Sequence, residues 1–430
     1  MRPRQFAIAT FLPLALIATA CGGDDDTAEP ATTDEVTSDD ASEEPSDEGT
    51  DEAPDEATME ESADEPSDEA SEEPTGDGAT TEDGGGDAMA VVAGEPFPEA
   101  RCEANQAAGT IDYFTGFDYA AAASILEVIV ADENGYYEDL CLDVAITPSF
   151  STANYPLVAA GEAQFSSSGS FSELATSAEA NDADLVALSV DGHVAIDVLM
   201  VHPDAAGSLD DLAGQTVGIK GALPPAIAVM LQQEAGLTEG DDFDTVLLEG
   251  FDPVAHWAIE DVAAVPGWRS NEPGALERAG ETFDLYDPGD YDIPGSFGLI
   301  YTSQAFLDEH PTAAEDFMRA TMLGLIEAIV DPDTASAIAV ERINAGGNPN
   351  FLSPQGEQFR WATDAQAIVD TTPEGLNYGV PVGDELEAQV AAYDAVGVYP
   401  DGAPTVDGRF DPDLVAGLYD DEGSVIWPAL

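Results

Sequence analysis

The chain has 430 residues, of which 88 are aspartate or glutamate and 10 are lysine or arginine, for a formal net charge of −78. Binding to a phosphate backbone needs a basic face, so this balance excludes nucleic acid as a partner. Residues 91–430 exceed the size of a typical single domain, which predicts two lobes.

The first 21 residues have the pattern of a secretory signal. Arg2 and Arg4 precede an apolar stretch over residues 6–17, which is too short for a conventional membrane span. The small residues that lead to Cys21 resemble the lipobox of bacterial lipoproteins, although Ala18 stands where leucine is commonest. The resemblance implies lipidation of Cys21 at the outer face of the cell membrane. Ordinary cleavage beside a chance cysteine is the alternative.

Residues 22–100 are predicted to form an acidic tether. Positions 22–90 contain 28 acidic residues and no lysine or arginine, in loose repeats such as SEEPSDEG and ADEPSDEA. A segment of this composition cannot bury enough apolar surface to offset the entropy of the chain. We therefore predict a disordered, self-repelling linker between the signal and the folded part.

From residue 109 strands alternate with helices, which predicts an α/β fold with mostly parallel sheets. The predicted strands cover residues 110–114, 142–146, 163–166, 185–189, 195–201, 216–219, 245–248, 262–265, 283–286 and 297–302. Helices are predicted over residues 120–134 and 154–160, from Ser170 to about residue 180, and over most of the chain after residue 304. Ser170 and Glu173 have the spacing of a capping box at the start of their helix.

Residues 208–237 form the clearest strand–turn–helix unit. An apolar strand over 216–219 is followed by a turn whose prolines suit the first turn of a helix, and Gly236 ends that helix. In open α/β sheets such a turn binds ligands, because the free N–H groups of the helix point into it. The alternative is an ordinary packing unit.

Two cysteines remain in the part that follows the tether, Cys102 and Cys141. In an exported protein a pair is more often bridged than free, and neighbouring strands bring these two positions together. Two cysteines without nearby histidines fall short of a tetrahedral metal site, so no metal is predicted.

Five motifs resemble, in order, the type 2 periplasmic solute-binding proteins of ABC importers. They are GYYEDLCLDV (135–144), LVAAGEAQFSSSGSFSEL (157–174), SLDDLAGQTVGIKG (208–221), SNEP (270–273) and DYDIPGSFGLIYTSQAFLDEHP (290–311). The last two resemble the branch that carries the pyrimidine precursor of thiamine, with sulfonate, nitrate and flavin carriers as relatives. The resemblance covers residues 109–415.

The resemblance implies a fold of two lobes, each a mostly parallel sheet with flanking helices, and a ligand cleft between them. The first part of lobe 1 is expected over 101–198, lobe 2 over 199–292, and the return of lobe 1 with C-terminal helices over 293–430. The implied partners are a small-molecule ligand and the permease subunits in the membrane, with no cofactor and a monomeric chain.

Site residues follow from the family's use of helix N-termini and strand ends. Carried onto this chain, the ligand-binding residues are Thr115, Phe117, Asp118, Ser167, Ser168, Ser170, Leu223, Trp268, Asn271 and Glu272. The aromatic side chains offer flat faces to a ring, and the carboxylates accept hydrogen bonds from ligand amino groups. Packing for Trp268, helix capping for Ser170 and a solvated turn for Asp118 are the competing interpretations.

The predicted function is solute binding, with an amino-heterocycle such as the thiamine-precursor pyrimidine as the favoured ligand. Lys220, the one lysine in the sequence, either approaches an anionic ligand near the cleft or lies on the surface. Sulfonate, nitrate and riboflavin are alternative ligands. An enzyme of pyrimidine synthesis is the alternative in another class, but the chain lacks that family's cysteine-rich motif and has no nucleophile motif.

Overall fold

The structure is a computed structural model and describes residues 88–250, 252–348 and 352–429. The predicted signal, Cys21 and the first part of the predicted tether lie outside the described residues. Residues 88–100 are described, and the first helix begins at Glu99. Within the described ranges, no helix has both the length and the apolar character needed to cross a membrane.

Ten strands form two five-stranded sheets in the described chain. They are β1 (Thr110–Phe114), β2 (Asp143–Thr147), β3 (Phe165–Ser168), β4 (Leu185–Gly192), β5 (Asp197–Val201), β6 (Thr216–Ile219), β7 (Asp244–Leu247), β8 (Ala264–Trp268), β9 (Asp284–Tyr286) and β10 (Phe297–Ser303). The strand order is β2-β1-β3-β10-β4 in one sheet and β7-β6-β8-β5-β9 in the other. Each sheet is the centre of one lobe.

The helices pack on the faces of these sheets. They are α1 (Glu99–Ala107), α2 (Leu126–Glu133), α3 (Tyr136–Asp139), α4 (Ser151–Ala159), α5 (Phe171–Ala180), α6 (Pro225–Ala235), α7 (Pro253–Trp257), α8 (Glu272–Ala279), α9 (Gln304–Glu309), α10 (Pro311–Val330), α11 (Pro332–Gly346), α12 (Pro354–Thr371), α13 (Gly383–Ala395) and α14 (Pro412–Ala416). Helices α6 to α8 belong to lobe 2, and the others belong to lobe 1 or follow its return.

Both sheets are mostly parallel, as predicted, with one reversed strand each. Strand β10 runs antiparallel to β3 and β4, and β5 runs antiparallel to β8 and β9. The remaining four strands of each sheet share one direction. Each reversed strand is the first one that the chain forms after it crosses from one lobe to the other.

The two crossing segments, residues 193–196 and 287–296, touch one another. A Cβ atom built on Gly295 would lie 2.2 Å from the backbone nitrogen of Ala195, so the contact requires glycine. Arg269 fixes the same region, because its Nη2 donates to the carbonyl of Ala195 at 3.1 Å and pairs with Asp287 at 2.7 Å. A rotation of one lobe relative to the other would therefore move the residues at this contact.

Helix α2 begins at Leu126, so the helix predicted from residue 120 was too long. Residues 120–125 form a loop whose backbone amides are held by distant carboxylates. The amide of Ala121 donates to Glu357 at 2.7 Å, and that of Ser124 donates to Asp191 at 2.9 Å. These partners lie more than 60 residues away in sequence, and they stabilise the loop in preference to another turn of helix.

The structure places Cys102 of α1 next to Cys141, which lies two residues before β2, with the two sulfur atoms 2.07 Å apart. We predict that this disulfide forms in the protein. Alkylation of the unreduced, unfolded protein with iodoacetamide should leave both cysteines unmodified in the mass spectrum, and prior reduction should expose both. Modification of both residues without reduction would contradict the prediction.

Candidate functional site

A cleft of about 450 Å³ lies between the lobes, at the loops that follow the strands. Lobe 1 lines it with Gly116 and Phe117 after β1, with the start of α4, and with Arg360 of α12. Lobe 2 lines it with the start of β5, with the turn between β6 and α6, with the end of β8 up to Trp268, and with Asn271 and Glu272 at the start of α8. Both sheets therefore direct the ends of their strands into the same space, which is the position of ligands in open α/β sheets.

Aromatic rings from both lobes meet in this cleft. The rings of Phe117 and Trp268 lie 6.0 Å apart at 75°, and those of Phe117 and Phe150 lie 5.7 Å apart at the same angle. Trp268 is 37% exposed and Phe150 is 46% exposed. Large apolar rings left open inside a concave site indicate a surface for a flat ligand.

Glu272 is buried at the N-terminus of α8 and is well paired. Its Oε1 accepts from Lys220 Nζ at 2.7 Å, and its Oε2 accepts from the backbone N–H of Trp268 at 2.8 Å. The lysine therefore lies in the cleft, where it neutralises a carboxylate. A lysine that is already paired with a carboxylate is less suited to binding a free oxyanion than an unpaired lysine.

Asp197 is a further acid of the cleft. It begins β5 and lies directly opposite Trp268 in the antiparallel pair of β5 and β8. Burial and, to a lesser extent, the nearby carboxylates of Glu272 and Glu173 together raise the pKa of Asp197 to about 7. A cleft acid that is half protonated at neutral pH is a candidate for ligand recognition.

A smaller pocket of about 80 Å³ opens beneath the cleft in lobe 1. It shares Phe117 and Trp268 with the cleft, and it is also lined by Ser167, Ser168 and Asp364. Burial raises the pKa of Asp364 to about 6, although the N–H of Ala123 donates to its carboxylate at 3.1 Å. This pocket can hold a small substituent of a ligand.

Two more acids, Glu127 and Asp191, are fully buried near that pocket without lining it. Burial raises the pKa of Glu127 to about 7 and that of Asp191 well above its usual value. The Glu127 carboxyl raises the pKa of Asp191 further, whereas a hydrogen bond with Asp191 lowers that of Glu127. The two groups therefore share a proton at neutral pH. Asp191 also accepts from the N–H of Ser124 at 2.9 Å, in the loop that precedes α2.

Arg360 joins the lobes across the cleft. Its Nη2 donates to Asn271 Oδ1 of lobe 2 at 2.9 Å, and its Nε donates to Glu357 at 3.3 Å on its own helix. The guanidinium carbon lies 5.9 Å from the centroid of the Phe117 ring, within range of a cation–π interaction. The arginine thus holds the Phe117 loop and the start of α8 in one arrangement.

Most of the residues predicted from the sequence come together here. Phe117, Trp268, Asn271 and Glu272 line the main cleft, and Ser167 and Ser168 line the pocket beneath it. Ser170 caps α5, because its Oγ accepts from the N–H of Glu173 at 3.3 Å, and it lines an adjoining pocket. Whether these residues bind the ligand stays a prediction.

The predicted capping box at Ser170 forms only in part among the described contacts. The Glu173 carboxylate accepts from the hydroxyl of Ser151 at 2.8 Å, at the start of α4, and it lines the pocket beneath the cleft. A contact between two loops thus replaces the local one that the sequence spacing predicts.

Three of the predicted residues lie away from the described pockets. Thr115 is fully buried, and its Oγ1 accepts from the N–H of Ser149, so it fixes the neighbouring loop. The Asp118 carboxylate accepts from the backbone N–H groups of Tyr119 and Asn348. Leu223 packs in the core of lobe 2.

These three side chains do not line the described pockets of the cleft, because each turns into its own lobe. Asp118 has a positive φ of 47°, which directs it toward the segment after α11. The neighbours of Leu223, Ala222 and Pro224, line the cleft instead.

The sequence reasoning missed Asp197, Arg360, Phe150 and Asp364. Asp197 lies inside a predicted strand, and Arg360 lies in a long helical region, so neither belongs to a recognisable motif. A signal for Arg360 did exist, because this chain has only 10 basic residues and each one placed among apolar residues is informative.

About half of the chain matches a known protein family. Residues 122–335 match the model of the family described as NMT1/THI5 like. This segment belongs to the NMT1/THI5-like family. It contains the strands and loops of both lobes that form most of the cleft, and the predicted family resemblance is confirmed.

Solved structures share the fold of this chain. The periplasmic aliphatic sulphonate binding protein SsuA from Escherichia coli is 12% identical, with a TM-score of 0.53 over 70% of this chain and 92% of that one. The periplasmic nitrate-binding protein NrtA from Synechocystis PCC 6803 is 13% identical, with a TM-score of 0.50 over 71% of this chain and 86% of that one. The predicted periplasmic binding protein fold is confirmed.

A curated relative is more similar in sequence over a shorter stretch. The riboflavin-binding protein RibY from Chloroflexus aurantiacus is 28% identical over 138 residues. This match covers 32% of this chain and 38% of RibY, so the chain aligns with less than half of its relative.

Proposed function

We propose that this protein is the extracytoplasmic solute-binding component of an ABC importer, and that it captures a flat nitrogen heterocycle between its lobes. The observation that carries the proposal is the partly exposed indole of Trp268 in lobe 2, which lies beside the Phe117 ring of lobe 1 with the ring centroids 6.0 Å apart at 75°. A planar ligand ring stacked on the exposed face of the indole would also contact the Phe117 ring when the lobes close. The loaded protein would then deliver its ligand to the permease.

The charges of the cleft support a heterocycle over a simple oxyanion. Four carboxyl groups line the cleft or the pocket beneath it, and they are Glu173, Asp197, Glu272 and Asp364. The two cations, Lys220 and Arg360, already contact Glu272 and Glu357. A sulfonate or nitrate would add negative charge to this site, whereas the N–H groups of a heterocycle would satisfy its carboxyl oxygens.

An aminopyrimidine of the thiamine-precursor type is our first candidate ligand. It offers a flat ring for Trp268 and amino N–H donors for the acids. Riboflavin is the second candidate, supported by the similarity to the riboflavin-binding protein RibY over 138 residues. We infer a binding role rather than a catalytic one, since the solved structures that share this fold include the sulphonate-binding protein SsuA and the nitrate-binding protein NrtA.

The ligand itself can be identified from the native protein. We expect the full-length chain, purified in mild detergent from cells, to carry a small heterocycle that native mass spectrometry detects as a mass increment. Fragmentation of the released molecule would give its chemical class. A protein that consistently carries a sulfonate in place of a ring would overturn the proposed ligand class.

We also propose that lipid on Cys21 anchors the protein to the outer face of the membrane. The Cys21→Ala variant lacks the thiol to which lipid attaches, so we expect it to move from the membrane fraction to the soluble fraction. Fractionation followed by carbonate washing measures this, with Cys102→Ala as a control that keeps the anchor. Retention of Cys21→Ala in washed membranes would contradict the proposal.

A further inference from the structure

We propose that Asp197, in its protonated form, recognises the edge of the bound heterocycle by pairing with an N–H donor and a neighbouring acceptor together. This inference rests on the proposed function. It narrows the ligand class to flat rings on whose edge a donor adjoins an acceptor.

The position of Asp197 suits an edge contact. It stands directly opposite Trp268 across the β5–β8 pair, and both residues line the cleft. Side chains that are opposite each other in an antiparallel pair project from the same face, with Cβ atoms about 4.5–5.5 Å apart. A ring that lies against the Trp268 indole therefore presents its edge to the Asp197 carboxyl.

Asp197 differs from the neighbouring acids in its lack of partners. Glu272 pairs with Lys220 at 2.7 Å, and Glu173 accepts from Ser151 at 2.8 Å. Among the residues that the structure describes, no other side chain forms an ion pair or a hydrogen bond with Asp197. A partly buried acid without a partner in this position either stays protonated or gains a partner from a ligand.

The surroundings of Asp197 favour the protonated form. The charged and titratable groups around it are Glu173 on α5, Lys220 after β6, Arg269 after β8, Glu272 on α8 and Tyr393 on α13. Burial and the two glutamates raise the pKa of Asp197 to about 7, whereas its own backbone N–H and Arg269 lower it. Arg269 is already paired with Asp287 at 2.7 Å, and Lys220 is paired with Glu272.

A neutral carboxyl group has one donor and one acceptor side by side. Its O–H donates to a ring nitrogen or a ring carbonyl, and its C=O accepts from the adjacent N–H. An aminopyrimidine and the isoalloxazine of riboflavin both carry such an edge. An ionised carboxylate has acceptors only, so its contact with the acceptor on the ligand edge would be unfavourable. The sulfonate group and nitrate have no donor to offer to either the neutral or the ionised carboxyl group.

The sign of the pH dependence follows from this pairing. The contact needs the proton, so binding raises the pKa of Asp197 above its value in the free protein. At neutral pH the free group is about half protonated, and binding takes up about half a proton per ligand. Affinity should be constant below about pH 6 and should fall by up to tenfold per pH unit above about pH 7.

Titration calorimetry on the full-length chain tests the inference, with 4-amino-5-hydroxymethyl-2-methylpyrimidine and riboflavin as probes. Measurements at pH 7 in two buffers of different ionisation enthalpy give the number of protons taken up. We expect about 0.5, together with an affinity about 50-fold weaker at pH 9 than at pH 7. A pH-independent affinity of the wild-type chain would overturn the inference and leave the proposed function in place.

Two variants of the same residue separate recognition from packing. Asp197→Asn keeps a donor beside an acceptor, so we expect affinity within a few-fold of the wild type at pH 7 and no pH dependence. Asp197→Ala removes both groups and should bind about 10- to 100-fold more weakly. Equal weakening in both variants would overturn the inference.

A matched control is Glu127→Gln, which removes a buried acid whose pKa is also raised to about 7 but which does not line the cleft. It should keep the pH profile of the wild type. If it removes that profile while Asp197→Asn retains it, the inference fails. Failure of both probes to bind the wild type at any pH would overturn the proposed heterocycle function and the inference with it.

Discussion

Replacing Trp268 with alanine is expected to weaken heterocycle binding about 100-fold, or ~3 kcal/mol. The indole is the largest open aromatic surface that lobe 2 contributes to the cleft, and 37% of the residue is exposed before a ligand covers it. Its removal takes away one wall of the site, while the backbone N–H that donates to Glu272 remains. Titration calorimetry with the ligand identified from native protein measures the change.

Trp427→Ala is the matched control for that experiment. Trp427 packs against Tyr136 with ring centroids 5.3 Å apart and does not line the described pockets of the cleft. It should bind the ligand like the wild type. A Trp268→Ala variant with unchanged affinity and unchanged unfolding behaviour would show that the indole is not part of the site.

Replacing Asp316 with alanine is expected to lower the free energy of unfolding by about 3–5 kcal/mol. Asp316 is fully buried in α10 and accepts from Arg101 at 2.6 Å, from Asn105 at 2.8 Å and from Arg319 at 3.1 Å. The substitution removes a carboxylate partner from two nearly buried guanidinium groups, those of Arg101 and Arg319. It also removes the contact that holds α1 to α10.

Urea unfolding monitored by circular dichroism measures that loss. Asp308→Ala is the control, since this exposed acid of α9 bonds only to Gln304 among the described residues and should change stability by less than about 0.5 kcal/mol. A loss below about 1 kcal/mol in Asp316→Ala would mean that the buried network contributes little to the fold.

Local signals explain where sequence reasoning succeeded. The predicted strand over 216–219 is β6, and the prolines that follow place Pro225 in the first turn of α6. Gly236 ends that helix with a φ of 66°, a conformation that glycine adopts without steric cost. Each of these features depends on residues within a dozen positions, so the sequence alone predicts them.

Contacts between distant residues explain the errors. The start of α2 is displaced by carboxylates from α12 and β4, and Asp118 turns away from the cleft toward the N–H of Asn348. Arg360 enters the site because α12 crosses toward Asn271 of the other lobe. A single sequence holds no record of these pairings, since they depend on how the lobes pack.

The pairing of charges in the cleft could not be predicted from the sequence for the same reason. The sequence placed Glu272 and Lys220 in separate motifs, 52 positions apart, and gave Lys220 two possible fates. Their distance of 2.7 Å makes them one neutral pair, which removes the main argument for an anionic ligand. Asp197 then remains as a cleft acid that is available to bind a ligand.

We expect the cleft to bind a flat heterocycle in preference to a simple oxyanion. The most direct test of this expectation is titration calorimetry of the full-length chain at pH 7 with four ligands, an aminopyrimidine, riboflavin, taurine and nitrate. We predict saturable binding of at least one heterocycle, with an affinity at least 100-fold above that for taurine or nitrate. Tight binding of taurine or nitrate, with no binding of either heterocycle, would contradict the expectation.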